Sequence, residues 1–185
     1  GYNTLKGCGG DAGIQKNDNV STGTLTITAE DTNQTLNVSA DTNGAAIGGN
    51  GYSGDSHGTK NIVIKGGTVN TQGRIGSGWN GGSAENIVIT GDAVVDANGG
   101  IGGGYGDGKT SITISGNAQV NATYKVDTGS DYGYKYGFGG SDAGLAVIGG
   151  GVGSSSKKSH AKVTIQGNAQ VTAENRAYGG GAGIG

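Results

Sequence analysis

Apolar residues along this chain fall into short runs that alternate with polar ones, as in Asn61-Ile62-Val63-Ile64-Lys65 and Ser111-Ile112-Thr113-Ile114-Ser115. A period of two places successive side chains on opposite faces, so each run predicts a strand with one buried face. Helical periodicity is absent. Between these runs an isoleucine followed by a glycine turn recurs at Ile14, Ile47, Ile75, Ile101, Ile148 and Ile184, with a small residue two positions earlier in every case. The spacing between copies fluctuates while the apolar positions persist. That pattern marks a solenoid, in which each coil buries its apolar face only against its neighbours.

Three apolar rows can be aligned. The isoleucines form the first. Leu25/Ile27, Ile62/Ile64, Ile87/Ile89, Ile112/Ile114 and Val163/Ile165 form the second. The third runs through Leu36-x-Val38-x-Ala40, Ala93-x-Val95-x-Ala97, Ala118-x-Val120-x-Ala122 and Ala169-x-Val171-x-Ala173, and the coil with Gly66-Gly67-Thr68-Val69 is one residue shorter. The expected fold is all-β, a right-handed parallel β-helix of about five coils of three short strands. Asp92, Asn117 and Asn168 share a corner position, where Asn and Asp tolerate left-handed backbone and can hydrogen-bond along the rod. A middle outward row of Thr26, Val63, Val88, Thr113 and Thr164 has the flatness of an ice-binding face, but Lys65, Lys162 and asparagines flank it and break the array.

Composition narrows the function. The chain has 185 residues with 44 Gly and no Pro, which excludes collagen, and regular strands between the glycines exclude a flexible linker. Its formal charge of −2 and scattered lysines offer no basic stripe, so nucleic acid is not an expected partner. No apolar run is long enough for membrane insertion as a helix. The single cysteine, Cys8, rules out an intramolecular disulfide and reads as a small buried residue. Residues 1–185 read as one β-helix domain, expected to be a fragment of a longer chain, with a Tyr-rich loop inserted over residues 123–143.

That loop holds five of the chain's ten aromatic residues, including Tyr132, Tyr134, Tyr136 and Phe138. Insertions in repeat proteins become loops on one face, often the binding face. Tyr52, Trp79 and Tyr105 each follow the glycine turn of consecutive coils, so they predict an aromatic ladder. Its steps of about 4.8 Å are near the advance of one sugar unit in an extended glycan. Such faces beside polar side chains suit stacking on sugar rings, although they could equally shield the turns.

Catalysis is not expected. Asp92 and Asp96 are the close acidic pair on a strand, but about 13 Å of extended chain separates them, beyond the gaps of glycosidases. Asp96 among Asn70, Asn121 and Thr172 is at most a weak calcium site, so no cofactor is expected. His57 and His160 lie in coils that are not adjacent, and Arg74 and Arg176 are scattered. Gly103 to Thr110 matches the P-loop string, but a strand pattern follows where that loop needs a helix, and Gly49 to Gly54 fails as a dinucleotide fingerprint for the same reason.

The phrases Ile112-Thr113-Ile114-Ser115-Gly116, Gly66-Gly67-Thr68-Val69 and Gly179 to Gly185 resemble the Gly-rich β-helix repeats of large secreted or cell-surface proteins of bacteria, especially gut Firmicutes. The resemblance covers nearly the whole chain from Ala12 onward. It implies an extracellular or cell-surface location and an adhesin-like, noncatalytic role with a glycan or host-surface ligand. It transfers no active-site residue. The alternative expectation is a structural spacer or rod that self-associates end to end, and a polysaccharide lyase or hydrolase ranks third.

Overall fold

The computed structural model describes residues 1–20, 22–40, 43–52, 55–124, 145–151, 159–176 and 181–185, with the backbone alone at Tyr52 and Asp55. All its regular structure is β. The first coil comprises β1 (Tyr2–Lys6), β2 (Ile14–Gln15) and β3 (Leu25–Ile27). The second comprises β4 (Thr35–Ser39), β5 (Ile47–Gly48), a small hairpin of β6 (Gly51–Tyr52) and β7 (Asp55–Ser56), then β8 (Thr59–Ile64). The third holds β9 (Thr68–Gln72), β10 (Ile75–Gly76) and β11 (Ala84–Ile89), and the fourth β12 (Val94–Asn98), β13 (Ile101–Gly102) and β14 (Gly108–Ile114). The fifth holds β15 (Gln119–Tyr124), β16 (Ile148–Gly149) and β17 (Ser159–Ile165), after which β18 (Gln170–Asn175) begins another turn.

These strands stack into three parallel sheets. Sheet A orders β1-β4-β9-β12-β15-β18, sheet B orders β2-β5-β10-β13-β16, and sheet C orders β3-β8-β11-β14-β17. The molecule is a parallel β-helix, and its register follows the apolar rows except in the second coil, where Leu36 rather than Val38 stands in the Val95 row and Val38 falls in line with Thr71 and Ala97, a shift of two that keeps the same face inward. Ile14, Ile47, Ile75, Ile101 and Ile148 pair in succession, and an isolated bridge adds Ile184. Leu36, Val69, Val95, Val120 and Val171 stack in sheet A, and Leu25, Ile62, Ile87, Ile112 and Val163 stack in sheet C. The middle isoleucines are fully buried, because each has a coil above and below to cover it. Tyr124, the second residue of the inserted segment, ends β15 with its ring in this core. The short coil places Thr71 between Val38 and Ala97 of its neighbours, and the Thr71 hydroxyl donates to the Gly73 carbonyl at 2.9 Å, which lets a polar group sit inside.

Corners depart from expectation in their backbone. Asp92, Asn117 and Asn168 do stack, with Asn117 Nδ2 donating to Asp92 Oδ1 at 2.9 Å and Asn168 Nδ2 to Asn117 Oδ1 at 3.2 Å. The left-handed residue is the glycine before each, at Gly91, Gly116 and Gly167 with φ of 68°, 70° and 72°. Glycine lacks the Cβ that makes this region costly, so it takes the turn and leaves the Asn free to pair. Left-handed asparagine does occur at Asn61 and Asn86, with φ of 60° and 56°. There β11 carries one residue more than β14, and the bulged Asn86 N–H donates to Ser111 Oγ at 2.8 Å. Cys8, read from sequence as buried, is exposed. It sits in a turn closed by Asp11 N–H to Cys8 O at 3.1 Å, outside the core rows.

Candidate functional site

Sheet B is the narrow edge of the rod. After each two-residue strand the chain turns through glycines whose backbones lie almost on one another. A Cβ at Gly104 would fall on the Gly78 carbonyl oxygen, and one at Gly151 on that of Gly104. This close stacking fixes the next residue of each coil. The Tyr105 N–H donates to the Trp79 carbonyl at 2.6 Å, and the Trp79 N–H to the Asn43 carbonyl at 2.9 Å. Trp79 and Tyr105 are therefore neighbours in adjacent coils, separated by one strand spacing of about 4.8 Å.

Both rings are half-buried. Trp79 leans on the core cluster, and its Nε1–H is buried without an acceptor among the described residues. Tyr105 is absent from that cluster, and its hydroxyl makes no hydrogen bond there. Tyr52 is on the same edge but not in the same row. Its strand β6 pairs antiparallel with β7, and Gly51 N–H bonds the Gly10 carbonyl at 2.9 Å. The row runs Asn43, Trp79, Tyr105. The off-register position was signalled by Tyr52 lying five residues after its isoleucine where the other two lie four after theirs. Tyr132, Tyr134, Tyr136 and Phe138 lie outside the described residues.

Buried polar atoms without partners among the described residues gather near this edge. They include Asn43 Oδ1, Asn50 Oδ1, Ser77 Oγ and Trp79 Nε1, with Thr110 Oγ1 and Ser159 Oγ at the start of sheet C strands. A fully buried hydroxyl that bonds nothing has lost water and gained no replacement. Ser77→Ala keeps the Cβ and removes that penalty. It is expected to stabilise the fold by about 1 kcal/mol, raising the Tm by about 3 °C in thermal unfolding followed by circular dichroism. A fall in Tm would mean that the hydroxyl has a partner.

Among the described residues the titratable groups do not converge on one catalytic set. Asp96 Oδ1 accepts from Asn121 at 3.4 Å, and Asp92 is engaged with Asn117. His57 Nδ1 lies 3.9 Å from Asp18 Oδ1, while His160 stacks beside Lys109 three coils away. Burial holds the Lys16 ammonium below the usual lysine range, Lys60 adds to that, and Asp18 opposes it. Among the described residues no three of His, Cys, Asp and Glu converge as metal ligands.

Sequence reasoning missed one interior residue. Arg74 is fully buried, in the row otherwise occupied by Ala46, Gly100 and Val147. Its Nε donates to Gly102 O at 3.2 Å, Nη1 to Gly99 O at 2.9 Å and Nη2 to Ala146 O at 3.0 Å. The guanidinium thus ties its own coil to the next two. The glycine pair Gly99-Gly100 was the available signal, since a Cβ at Gly100 would approach Arg74 Nη1 to 3.0 Å.

Searches of family models, of curated proteins and of solved structures each find no match to this chain.

Proposed function

We propose that this chain is a noncatalytic module of an extracellular or cell-surface bacterial protein that binds glycan along the sheet B edge. The observation that carries this reading is the hydrogen-bonded register of Trp79 and Tyr105, which sets two half-exposed rings one strand spacing apart. Exposed Asn80, Asp107 and Lys109 beside them supply donors and acceptors for sugar hydroxyls. Tyr52, and Tyr132, Tyr134, Tyr136 and Phe138 of the inserted segment, are binding candidates on their sequence pattern alone. The bacterial surface location rests on the repeat resemblance alone.

The test is a glycan array with and without calcium, read for both retained ligand and cleaved product. Each stacked ring contributes about 0.5 to 1.5 kcal/mol, so the Tyr105→Ala, Trp79→Phe variant is expected to lose about tenfold in affinity. Phenylalanine keeps an aromatic ring against the core at position 79, which guards the fold. Unchanged retention removes the ladder as the site, and cleavage promotes the lyase or hydrolase reading.

A structural rod is the second reading. Its three sheets grow by the same parallel pairing from coil to coil, which is the contact that a second rod would continue. Silence on every glycan together with light scattering that rises with concentration would move the function to end-to-end assembly, a contact that does not close on itself.

A further inference from the structure

The outer face of sheet A carries a trough of about 330 Å³ that crosses β1, β4, β9 and β12. Three strand spacings of about 4.8 Å give it a length of about 14 Å along the rod axis. One wall is the in-register row Thr4, Asn37 and Asn70. The other is the row Ser39, Gln72 and Asn98, and the backbone at Val38 and Thr71 lies between them. At one end stands Tyr2, 76% exposed.

Much of the hydrogen-bonding capacity here is uncommitted. The side chains of Thr4, Ser39 and Gln72 make no hydrogen bond among the described residues. Asn70 spends Nδ2 on Asn37 Oδ1 at 3.0 Å and keeps its oxygen, while Asn98 accepts from Thr123 Oγ1 at 2.5 Å and keeps its Nδ2 donors. The side chains that line the trough are uncharged, and the two walls continue in register to one charge of each sign, Lys6 beside Ser39 at one end and Asp96 beside Asn70 at the other. With Lys6 and Asp96 offsetting each other, the trough has no net charge to repay the desolvation of a row of carboxylates or sulfates, whereas amides and hydroxyls in two rows match a chain of ligand hydroxyls. The repeat of both walls is the strand spacing, so the ligand they fit is extended and itself periodic.

We propose that this trough is a binding site for a neutral, extended oligosaccharide lying along the rod axis, with Tyr2 stacking on one of its sugar rings. The site is separate from the Trp79 and Tyr105 edge and stands on different residues. The lining is also consistent with the core being untouched by its mutation, because Tyr2 and Gln72 are exposed.

The test is calorimetric titration of the 185-residue chain with a neutral β-1,4-linked glucose hexasaccharide and with a hexagalacturonate of similar length. Saturable binding of the neutral probe, at least tenfold stronger than the uronate, is expected. Tyr2→Ala and Gln72→Ala are each expected to weaken it about tenfold, while Lys162→Ala, exposed on sheet C away from both candidate surfaces, leaves it unchanged. Loss with Tyr105→Ala but not with Tyr2→Ala or Gln72→Ala would overturn the trough and leave the aromatic edge standing. Preference for the uronate, or no saturable binding of the neutral probe, would also overturn it.

Discussion

Gly102→Ala is expected to unfold the middle of the solenoid. Gly102 has φ of 131°, a region that residues with a Cβ rarely enter, and the added carbon would fall on the Gly149 carbonyl oxygen of the next coil. Backbone cannot step aside there. The Gly149 oxygen already accepts from Gly103 N–H at 3.0 Å, and the Gly102 oxygen accepts from Ser77 N–H at 3.1 Å. Strain of about 1 to 3 kcal/mol and a forced separation of two coils add up to a loss of more than about 4 kcal/mol, a large share of the total stability of a typical domain. Gly106→Ala separates the two causes. It shares a positive φ of 122°, but its nearest neighbour would be Asn80 O at 3.5 Å, so it is expected to cost only the strain, about 1 to 2 kcal/mol. Urea unfolding followed by far-ultraviolet circular dichroism measures both. Equal midpoints for Gly102→Ala and the unaltered chain would show that the coils can part without cost.

Arg74→Ala is the second large effect. Burying a guanidinium costs several kcal/mol, and its three charge-assisted bonds return about 1.5 to 3 kcal/mol each, so its net worth is modest. Truncation is another matter. The Gly102 carbonyl keeps its bond from Ser77, but the carbonyls of Gly99 and Ala146 accept no backbone N–H among the described residues and would be left buried without a donor. The space vacated by a long side chain adds a cavity. A loss of about 4 kcal/mol and a fall in Tm of about 10 °C are expected. Arg74→Lys should recover little, since one ammonium cannot reach carbonyls in two successive coils as a planar fork does. A lysine variant as stable as the native chain would show that charge, not the fork, is what the interior holds.

The solenoid was legible because its signal is redundant. Six isoleucines and two further apolar rows repeat with the same alternation, and a coil that lacks one residue still keeps Val69 beside Val95. Arg74 was not legible because its position is read from a row of small and apolar residues, where a lone arginine is ordinarily solvated. Only the glycines above it carry the clue, and glycine is too common here to stand out. Tyr52 misled because the hairpin of β6 and β7 inserts residues after the glycine turn, which alters the step without altering composition. The polar trough on sheet A escaped for a different reason. Alternation identifies which residues face outward, but the walls form only when four coils are superposed.

The stacked side-chain amides also give the rod an electrical direction. Asp92 and Asp96 are carboxylates that only accept, so Asn117 and Asn121 must turn their N–H groups toward the preceding coil. Asn168 follows Asn117, and Asn70 and Asn86 likewise donate back to Asn37 and Asn61. Aligned in this way, the small dipoles add along the axis, positive toward the first coil and negative toward the last, as peptide dipoles add along a helix. Two such rods brought end to end would be drawn together in one sense and repelled in the other, so any filament they form would be polar.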